Sequence, residues 1–310
     1  MSRRVWLPFT DKTEAEAALG VLPDGIDADY FLADGTWPES IGEVELLVAP
    51  YMYPPSKTLE RIDDMTNLRV VQLLSAGYDN YVPYLRPGMK LCNAAGVHDA
   101  STAELAVAMA LVSNRGLDHF ARNMTAGRWK MEFTESLADK RILIVGYGRI
   151  GKAIEQRLAG FEVASVTRVA RRARDGEVEV HPIEELHDLL PHADIVFAMT
   201  PLTPETEGLF GAEELALLPD GALLVNMARG KVVDTEALVV ATASGRIRAA
   251  LDVTDPEPLP SDHPLWHTPG VFISPHTGGQ STAFYPRMHK LLREQLTRFA
   301  AGAPLENVVA

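Results

Sequence analysis

A chain of 310 residues is longer than the roughly 250–300 at which a single hydrophobic core stops growing, so two domains are expected rather than one. The hydrophobic fraction of 46% and charged fraction of 23% are those of an ordinary globular protein, and a net charge of −13 argues against nucleic acid as the main partner. The single cysteine, Cys92, excludes an internal disulfide and fits a reducing, cytoplasmic setting.

The opening "MSRRVWLPFTDKTE" has only a short apolar run before Asp11 and does not read as a signal peptide. "RRVWLPF" at 3–9, "VELLVAP" at 44–50 and "LRVVQLLS" at 68–75 have strand composition and end at turn residues. "KTEAEAAL" at 12–19 and "KTLERIDDM" at 57–65 are helical stretches between them, and "KLCNAAG" at 90–96 closes this first unit. This alternation predicts parallel strands with crossover helices. Residues 99–127 read as one long, buried helix, with Ser101 or Thr102 as its cap and Glu104 in its first turn. Its apolar run, Leu105 to Val112, is too short to span a bilayer. Next come a loop with Trp129 and then "RILIVGYGRIGKAIEQRLAGFEVASVTR" at 141–168, a strand, a glycine turn, a helix and a strand. Helices "IEELHDLL", "AEELALL" and "TEALVVATASG" then alternate with strands "ADIVFAMT", "GALLVNMA" and "IRAALDV". Strand "VFISP" and a last helix at about 281–301 complete the chain.

Gly146-x-Gly148-x-x-Gly151 lies between a strand and a helix, the context of a dinucleotide-binding turn. The first glycine permits the tight turn, the second lets backbone approach the pyrophosphate, and the third lets helix and strand pack closely. Helix-terminal N–H groups would meet the phosphates. An acid about 20 residues on usually holds the ribose hydroxyls. Here "ASVTRVARRARD" at 164–175 offers Thr167, Arg168, Arg171, Arg172 and Arg174 instead.

Other features fall at strand ends, where open α/β sheets bind ligands: "TPLT" at 200–203, "NMARG" at 226–230, "LDVTDPEP" at 251–258 and "SPHTGG" at 274–279. With "LSAGYDN" at 74–80 and "NAAGVHDASTAELAVAM" at 93–109, they form an ordered series covering nearly the whole chain. In that order the sequence resembles the D-isomer-specific 2-hydroxyacid dehydrogenases. The resemblance implies an α/β fold of two doubly wound parallel-sheet domains. A Rossmann NAD(P)-binding domain, residues 98–279, is inserted in a flavodoxin-like substrate domain, residues 1–97 plus 280–310.

The resemblance also assigns roles. Arg229 would hold the substrate's carboxylate and carbonyl oxygen through paired guanidinium hydrogen bonds. His276 would donate the proton in reduction and take it back in oxidation, with Glu257 orienting the imidazole and raising its pKa. The backbone of Ser75, Ala76 and Gly77 would face the substrate carboxylate. Arg149 and Ile150 would lie at the pyrophosphate; Thr200, Pro201 and Thr206 would line the adenosine side. Met227, Asp252 and Thr102 would sit near the cofactor, Asp252 accepting from the nicotinamide carboxamide. Counted from the glycine turn, Thr167 takes the place of the ribose-binding acid and Arg168 follows, which favours NADP(H) over NAD(H), while Arg172 and Arg174 read as a solvated loop.

A homodimer is expected by the same resemblance. Thr254, Asp255 and Thr277 depart from the family's usual residues without removing a catalytic group. Tyr51 and Tyr53, just past a strand end, either pack ordinarily or wall a pocket for an acid longer than glyoxylate. His187 and His192, five apart, do not share a helix face, and no metal site is expected. Two rivals remain: a formate dehydrogenase, whose histidine should lack a glutamate partner, and an inactive dinucleotide-sensing regulator.

Overall fold

The computed structural model describes residues 2–174, 176 and 178–310. Two compact units emerge: residues up to His98 with Thr282–Ala310, and Asp99–Ser281.

In the first unit the order is β1 (Arg3–Leu7), α1 (Lys12–Leu19), β2 (Ile26–Tyr30), β3 (Leu46–Val48), α2 (Pro55–Thr58), β4 (Val70–Gln72) and β5 (Lys90–Cys92). Among the described residues these strands pair in parallel as β2-β1-β3-β4-β5, a flavodoxin-like order. Successive side chains face opposite sides, as the two-residue strand period requires. Val5, Leu7, Leu46 and Val48 enter one core with Ala15 and Leu19 of α1; Trp6 and Leu47 enter the other with Phe31, Leu59 and Met65. The closing helix, Phe284–Ala301, completes the first core with Phe284, Met288, Leu292, Leu296 and Phe299, spaced on one helical face. The last residues then pair along β5, Leu91 N donating to Ala310 O at 2.8 Å and Val309 N to Leu91 O at 2.8 Å.

The second unit contains α3 (Asp99–Arg115), α4 (Leu117–Thr125), β6 (Arg141–Val145), α5 (Arg149–Leu158), β7 (Ser165–Ala170), β8 (His181–Pro182), α6 (Leu186–Leu189), β9 (Ile195–Ala198), α7 (Ala212–Leu217), β10 (Leu223–Asn226), α8 (Thr235–Ala243), β11 (Arg248–Leu251) and β12 (Val271–Ile273); the closing helix is α9. The parallel order among the described residues is β12-β11-β10-β9-β6-β7-β8. Counted from β6, this is the Rossmann order 3-2-1-4-5-6 with β12 added. Leu143, Val145, Val196 and Leu224 fill one face; Ile142, Ile144, Ile195, Phe197 and Val225 fill the other. Burial on both faces is why these strands read as unbroken apolar runs. The fold class is the one the sequence implied.

Several local expectations are corrected. The helix expected over 99–127 breaks at Gly116, which takes a left-handed conformation (φ 61°, ψ 31°) and separates α3 from α4. Because α3 already starts at Asp99, Ser101 and Thr102 lie buried within it and do not cap it. The helix expected over 57–65 shrinks to α2 and a short turn at Ile62–Asp64. Strand β2, with its alternating acids, and the two-residue β8 were not expected.

Candidate active site

The chain reverses its strand order between β6 and β9, and the glycine turn follows β6 there. Gly146 has φ +101°, and a Cβ on it would lie 2.5 Å from Met199 C and 2.6 Å from Thr200 N. A Cβ on Gly151 would meet Gly146 O at 3.0 Å and Ile144 Cγ2 at 3.1 Å, so α5 packs directly on β6. Gly148 has nothing within 4 Å of that position, and α5 begins at the next residue. Thr200 Oγ1 is buried with no partner among the described residues. Open space at a helix N-terminus, close backbone packing on either side and an orphaned hydroxyl fit a dinucleotide's pyrophosphate and ribose. Arg149 opens α5 and donates through Nε to Asp99 at 2.8 Å; Ile150 is half-buried beside it. Thr206 braces its own loop, donating to Pro201 O at 2.6 Å and accepting from Thr203 N at 2.8 Å.

Three neighbouring strand ends assemble the candidate reaction centre. After β10, buried Asn226 accepts from Ala228 N at 3.0 Å and donates to Arg229 O at 3.0 Å, fixing the turn that presents Arg229. A Cβ on Gly230 would fall 2.0 Å from Thr254 O, so this turn lies flat against the loop after β11. After β11, the buried Asp252 carboxylate accepts from Ser274 Oγ at 2.6 Å, Thr277 N at 2.9 Å and Gly278 N at 2.9 Å. It thus grips both sides of His276, whose own N–H donates to Asp252 O at 2.8 Å and whose φ is +51°. Glu257 Oε1 lies 2.5 Å from His276 Nδ1. Burial alone would push the Glu257 carboxyl up, but the hydrogen bond and charge of His276, with help from Thr254 and Arg229, hold it below the usual carboxylate range. Glu257 is therefore ionised and accepts the Nδ1–H. That bond is the chief reason His276 is raised above the usual imidazole value, against burial and the charge of Arg229. His276 Nε2 makes no hydrogen bond among the described residues.

Gly278 identifies a tight corner. A Cβ there would meet Asp252 Oδ2 at 2.8 Å, Met227 Cε at 3.0 Å and Thr102 Cγ2 at 3.4 Å, so the structure brings together all three residues expected near the cofactor. Asn226, Gly230, Ser274 and Gly278 lie within the quoted motifs, yet only the loop contacts disclose what they hold in place.

Thr167 and Arg168 are placed differently from Arg171. Thr167 pairs with Leu143 inside β7, and the strand continues to Ala170. Arg168 faces α5, donating through Nε to the Glu155 carboxylate at 3.0 and 2.9 Å and through Nη2 as well. Arg171 and Arg172 are exposed at the strand's C-terminal end. Asp175, at the end of the segment, lies outside the described residues.

In the first unit, Ser75–Gly77 follows β4 as a turn with its carbonyls engaged. Ser75 O accepts from Ala94 N at 2.8 Å, Ala76 O from Asn93 Nδ2 at 2.7 Å and Gly77 O from Ser75 Oγ at 2.7 Å. The N–H groups of Ala76 and Gly77 donate to nothing among the described residues. Tyr51 stacks on Phe284 (4.5 Å between centroids) and on His98 (5.6 Å), while Tyr53 is exposed. His187 pairs with Glu214 at 2.7 Å.

Residues 107–278 match the model of the D-isomer specific 2-hydroxyacid dehydrogenase NAD-binding domain. A glyoxylate reductase of Pyrococcus horikoshii is 34% identical over 95% of this chain and 92% of its own length. A D-isomer specific 2-hydroxyacid dehydrogenase from Xanthobacter autotrophicus, solved with NADPH and MES, is 30% identical with a TM-score of 0.82, covering 100% of this chain and 98% of its own. An NADPH-dependent glyoxylate/hydroxypyruvate reductase from Sinorhizobium meliloti, solved with NADP and malonate, is 25% identical with a TM-score of 0.82, covering 100% and 97%.

Proposed function

The chain belongs to the D-isomer specific 2-hydroxyacid dehydrogenase family, and from that premise we propose which residues carry the reaction and which cofactor and acid they serve. It is a nicotinamide-dinucleotide-dependent oxidoreductase that interconverts 2-oxo and 2-hydroxy acids. When bound in the glycine cradle, the dinucleotide supplies or accepts the hydride. His276 moves the proton. Its Nδ1–H is held by ionised Glu257, which leaves Nε2 to protonate the substrate's oxo oxygen in reduction and to accept the hydroxyl proton in oxidation. The raised imidazole keeps that proton available at neutral pH. Arg229 offers a planar fork to the substrate carboxylate and oxo oxygen. The unengaged amides of Ala76 and Gly77 support reading the first unit as the substrate domain, and the glycine cradle supports reading the second as the cofactor domain. Asp252 would lie beside a bound nicotinamide, and its carboxylate locks the His276 loop. The His276–Glu257 contact at 2.5 Å carries this reading. It also disfavours both the formate dehydrogenase and the inactive regulator, which have no use for a charged His–Glu pair beside Arg229.

The favoured cofactor is NADP(H). Residues 167–174 carry no acid to repel a 2′-phosphate, and Arg171 and Arg172 stand exposed just past the end of β7. Arg168, joined to Glu155, supports the strand from beneath. The favoured substrate is a small 2-oxo acid of the glyoxylate or hydroxypyruvate class, named in the relatives, since the Tyr51 ring is engaged in the core of the first unit. The favoured assembly is a homodimer through the second unit, where Leu117, Met124, Trp129, Met131 and Phe133 form an exposed apolar series. No helix among the described residues is long and apolar enough to cross a membrane. A cytoplasmic setting suits the lone Cys92, whose thiol is pushed up to about 11 by burial.

The test is oxidation of NADPH and NADH against glyoxylate, hydroxypyruvate, pyruvate and longer 2-oxo acids, with His276→Asn beside the wild type. We expect the variant to lose ~10²–10⁴-fold in kcat while binding cofactor normally. Near-normal turnover overturns the assignment.

A further inference from the structure

We propose that Arg174 is a positioning residue for cofactor selectivity: it fastens the segment bearing Arg171 and Arg172 to the glycine turn without itself touching the 2′-phosphate. The proposal rests on the NADP(H) reading and deepens it.

Tyr147, between the first two glycines and nearly buried, is the anchor. Its N–H donates to Val169 O at 2.8 Å, and its hydroxyl donates to Glu155 of α5. Glu155 holds Arg168 of β7, whose guanidinium carbon lies 5.7 Å from the Tyr147 ring centroid. Turn, helix and strand are thereby knitted together below the ligand edge. Beyond Ala170 the strand ends, and the chain would be free to swing away. Arg174 brings it back. Its Nη2 donates to Tyr147 O at 2.5 Å, and its guanidinium carbon lies 5.9 Å from the same ring centroid. Its backbone is pinned as well, Arg174 N donating to Val180 O at 3.1 Å and Val180 N to Arg174 O at 3.3 Å.

Three residues thus span two fixed points. At ~3.3–3.6 Å per residue, neither Arg171 nor Arg172 can stray more than about 7 Å from a pinned Cα. Neither forms an ion pair among the described residues, whereas Arg168 and Arg174 are both engaged by other groups. Glu205, in the loop after β9, is held below the usual carboxylate range chiefly by the Thr203 hydroxyl, and the charge of Arg171 adds to this. The charge of Arg171 is thus felt in the loop that carries Thr200, Pro201 and Thr206. A phosphate arriving here meets cations whose backbone is already ordered, so the ordering cost does not fall on binding.

The experiment measures inhibition constants of adenosine 2′,5′-bisphosphate and of AMP against NADPH in the wild type and in Arg171→Ala, Arg174→Met and Arg174→Lys. Melting temperatures and kcat at saturating NADPH are recorded alongside. Arg174→Met keeps the apolar stem and loses the guanidinium; Arg174→Lys keeps the charge and loses the planar fork. We expect both Arg174 variants to weaken the bisphosphate about tenfold, ~1.4 kcal/mol, with AMP, kcat and melting unchanged. Full rescue by Arg174→Lys would mean that charge alone matters and overturns positioning. Equal weakening of AMP and bisphosphate overturns it too, because the effect would then be general to the cradle. If Arg171→Ala abolishes the wild type's preference for the bisphosphate while Arg174→Met leaves it intact, only the positioning claim falls. A wild type with no preference overturns the NADP(H) reading and this proposal together.

Discussion

Gly146 and Gly148 are two residues apart, yet alanine at each should fail differently. At Gly146 the new Cβ would sit 2.5 Å from Met199 C and 2.6 Å from Thr200 N, both backbone atoms at the end of β9. Ordinary carbon contacts lie at ~3.5–4.0 Å, so about 1 Å must open between β6 and β9, which are hydrogen-bonded neighbours. The φ of +101° adds conformational strain for any residue with a side chain. Crowding of a packed core costs ~1–3 kcal/mol and a sparsely populated backbone conformation ~1–3 kcal/mol, together ~2–6 kcal/mol. For a domain of this size that lowers the melting temperature by roughly 4–24 °C. At Gly148 the backbone (φ −97°, ψ −150°) tolerates a side chain, and nothing lies within 4 Å. Gly148→Ala should therefore melt with the wild type, while its methyl group fills the space left for the pyrophosphate and weakens dinucleotide binding about tenfold or more. Differential scanning fluorimetry and cofactor fluorescence titration measure the two effects. A Gly146→Ala protein that melts within about 2 °C of wild type refutes the packing argument, and a Gly148→Ala protein that binds NADPH normally refutes the cradle.

Glu257→Gln removes the chief group that raises His276 and leaves only the charge of Asp252, the smallest influence, to raise it against burial and the charge of Arg229. Reduction needs protonated His276, so its alkaline limb should move to lower pH; oxidation needs the neutral ring, so its acid limb should move the same way. Unmoved limbs in kcat/KM profiles would show that His276 is not the titrating group. Replacing Trp129 and Phe133 together by serine should turn the proposed dimer into a monomer by light scattering, with little change in the melting of the second unit; a wild type that is already monomeric, or a variant that remains dimeric, overturns the assignment of this interface.

The sequence made the large pattern legible because buried parallel strands declare themselves. "RILIV", "IVFA" and "LLVN" are apolar on both faces, and each is followed by a turn carrying polar residues. It did not disclose β2, whose alternating Asp27 and Asp29 suit an edge strand paired on one side. Gly116 looked tolerable inside a helix because only its positive φ, set by packing, makes it a break. The order of the reaction-centre motifs was readable as a resemblance, and Arg229, Glu257 and His276 meet at neighbouring strand ends. The grip of Asp252 on both flanks of His276 was not readable, since its hydrogen-bond donors are backbone amides and a serine 22 residues away.

The arginine segment marks where linear counting stops being informative. Counting about 20 residues from the glycine turn lands on Thr167, but a ribose-binding side chain must stand at the end of its strand. That end is set by pairing with β6 as far as Val169 and with β8 at Ala170, which carries the strand three residues farther, to Ala170. The number of cations in the segment is visible in the sequence, and the number available to a phosphate is not. Arg168 is neutralised by Glu155, 13 residues upstream on a helix, and Arg174 is occupied by a backbone carbonyl in the glycine turn. On the proposed NADP(H) reading, what remains for recognition is the pair that the strand end exposes, Arg171 and Arg172. Selectivity in this chain should therefore follow which arginines the fold leaves unpaired, and a variant such as Arg168→Ala should disturb β7 and α5 more than it disturbs discrimination between NADPH and NADH.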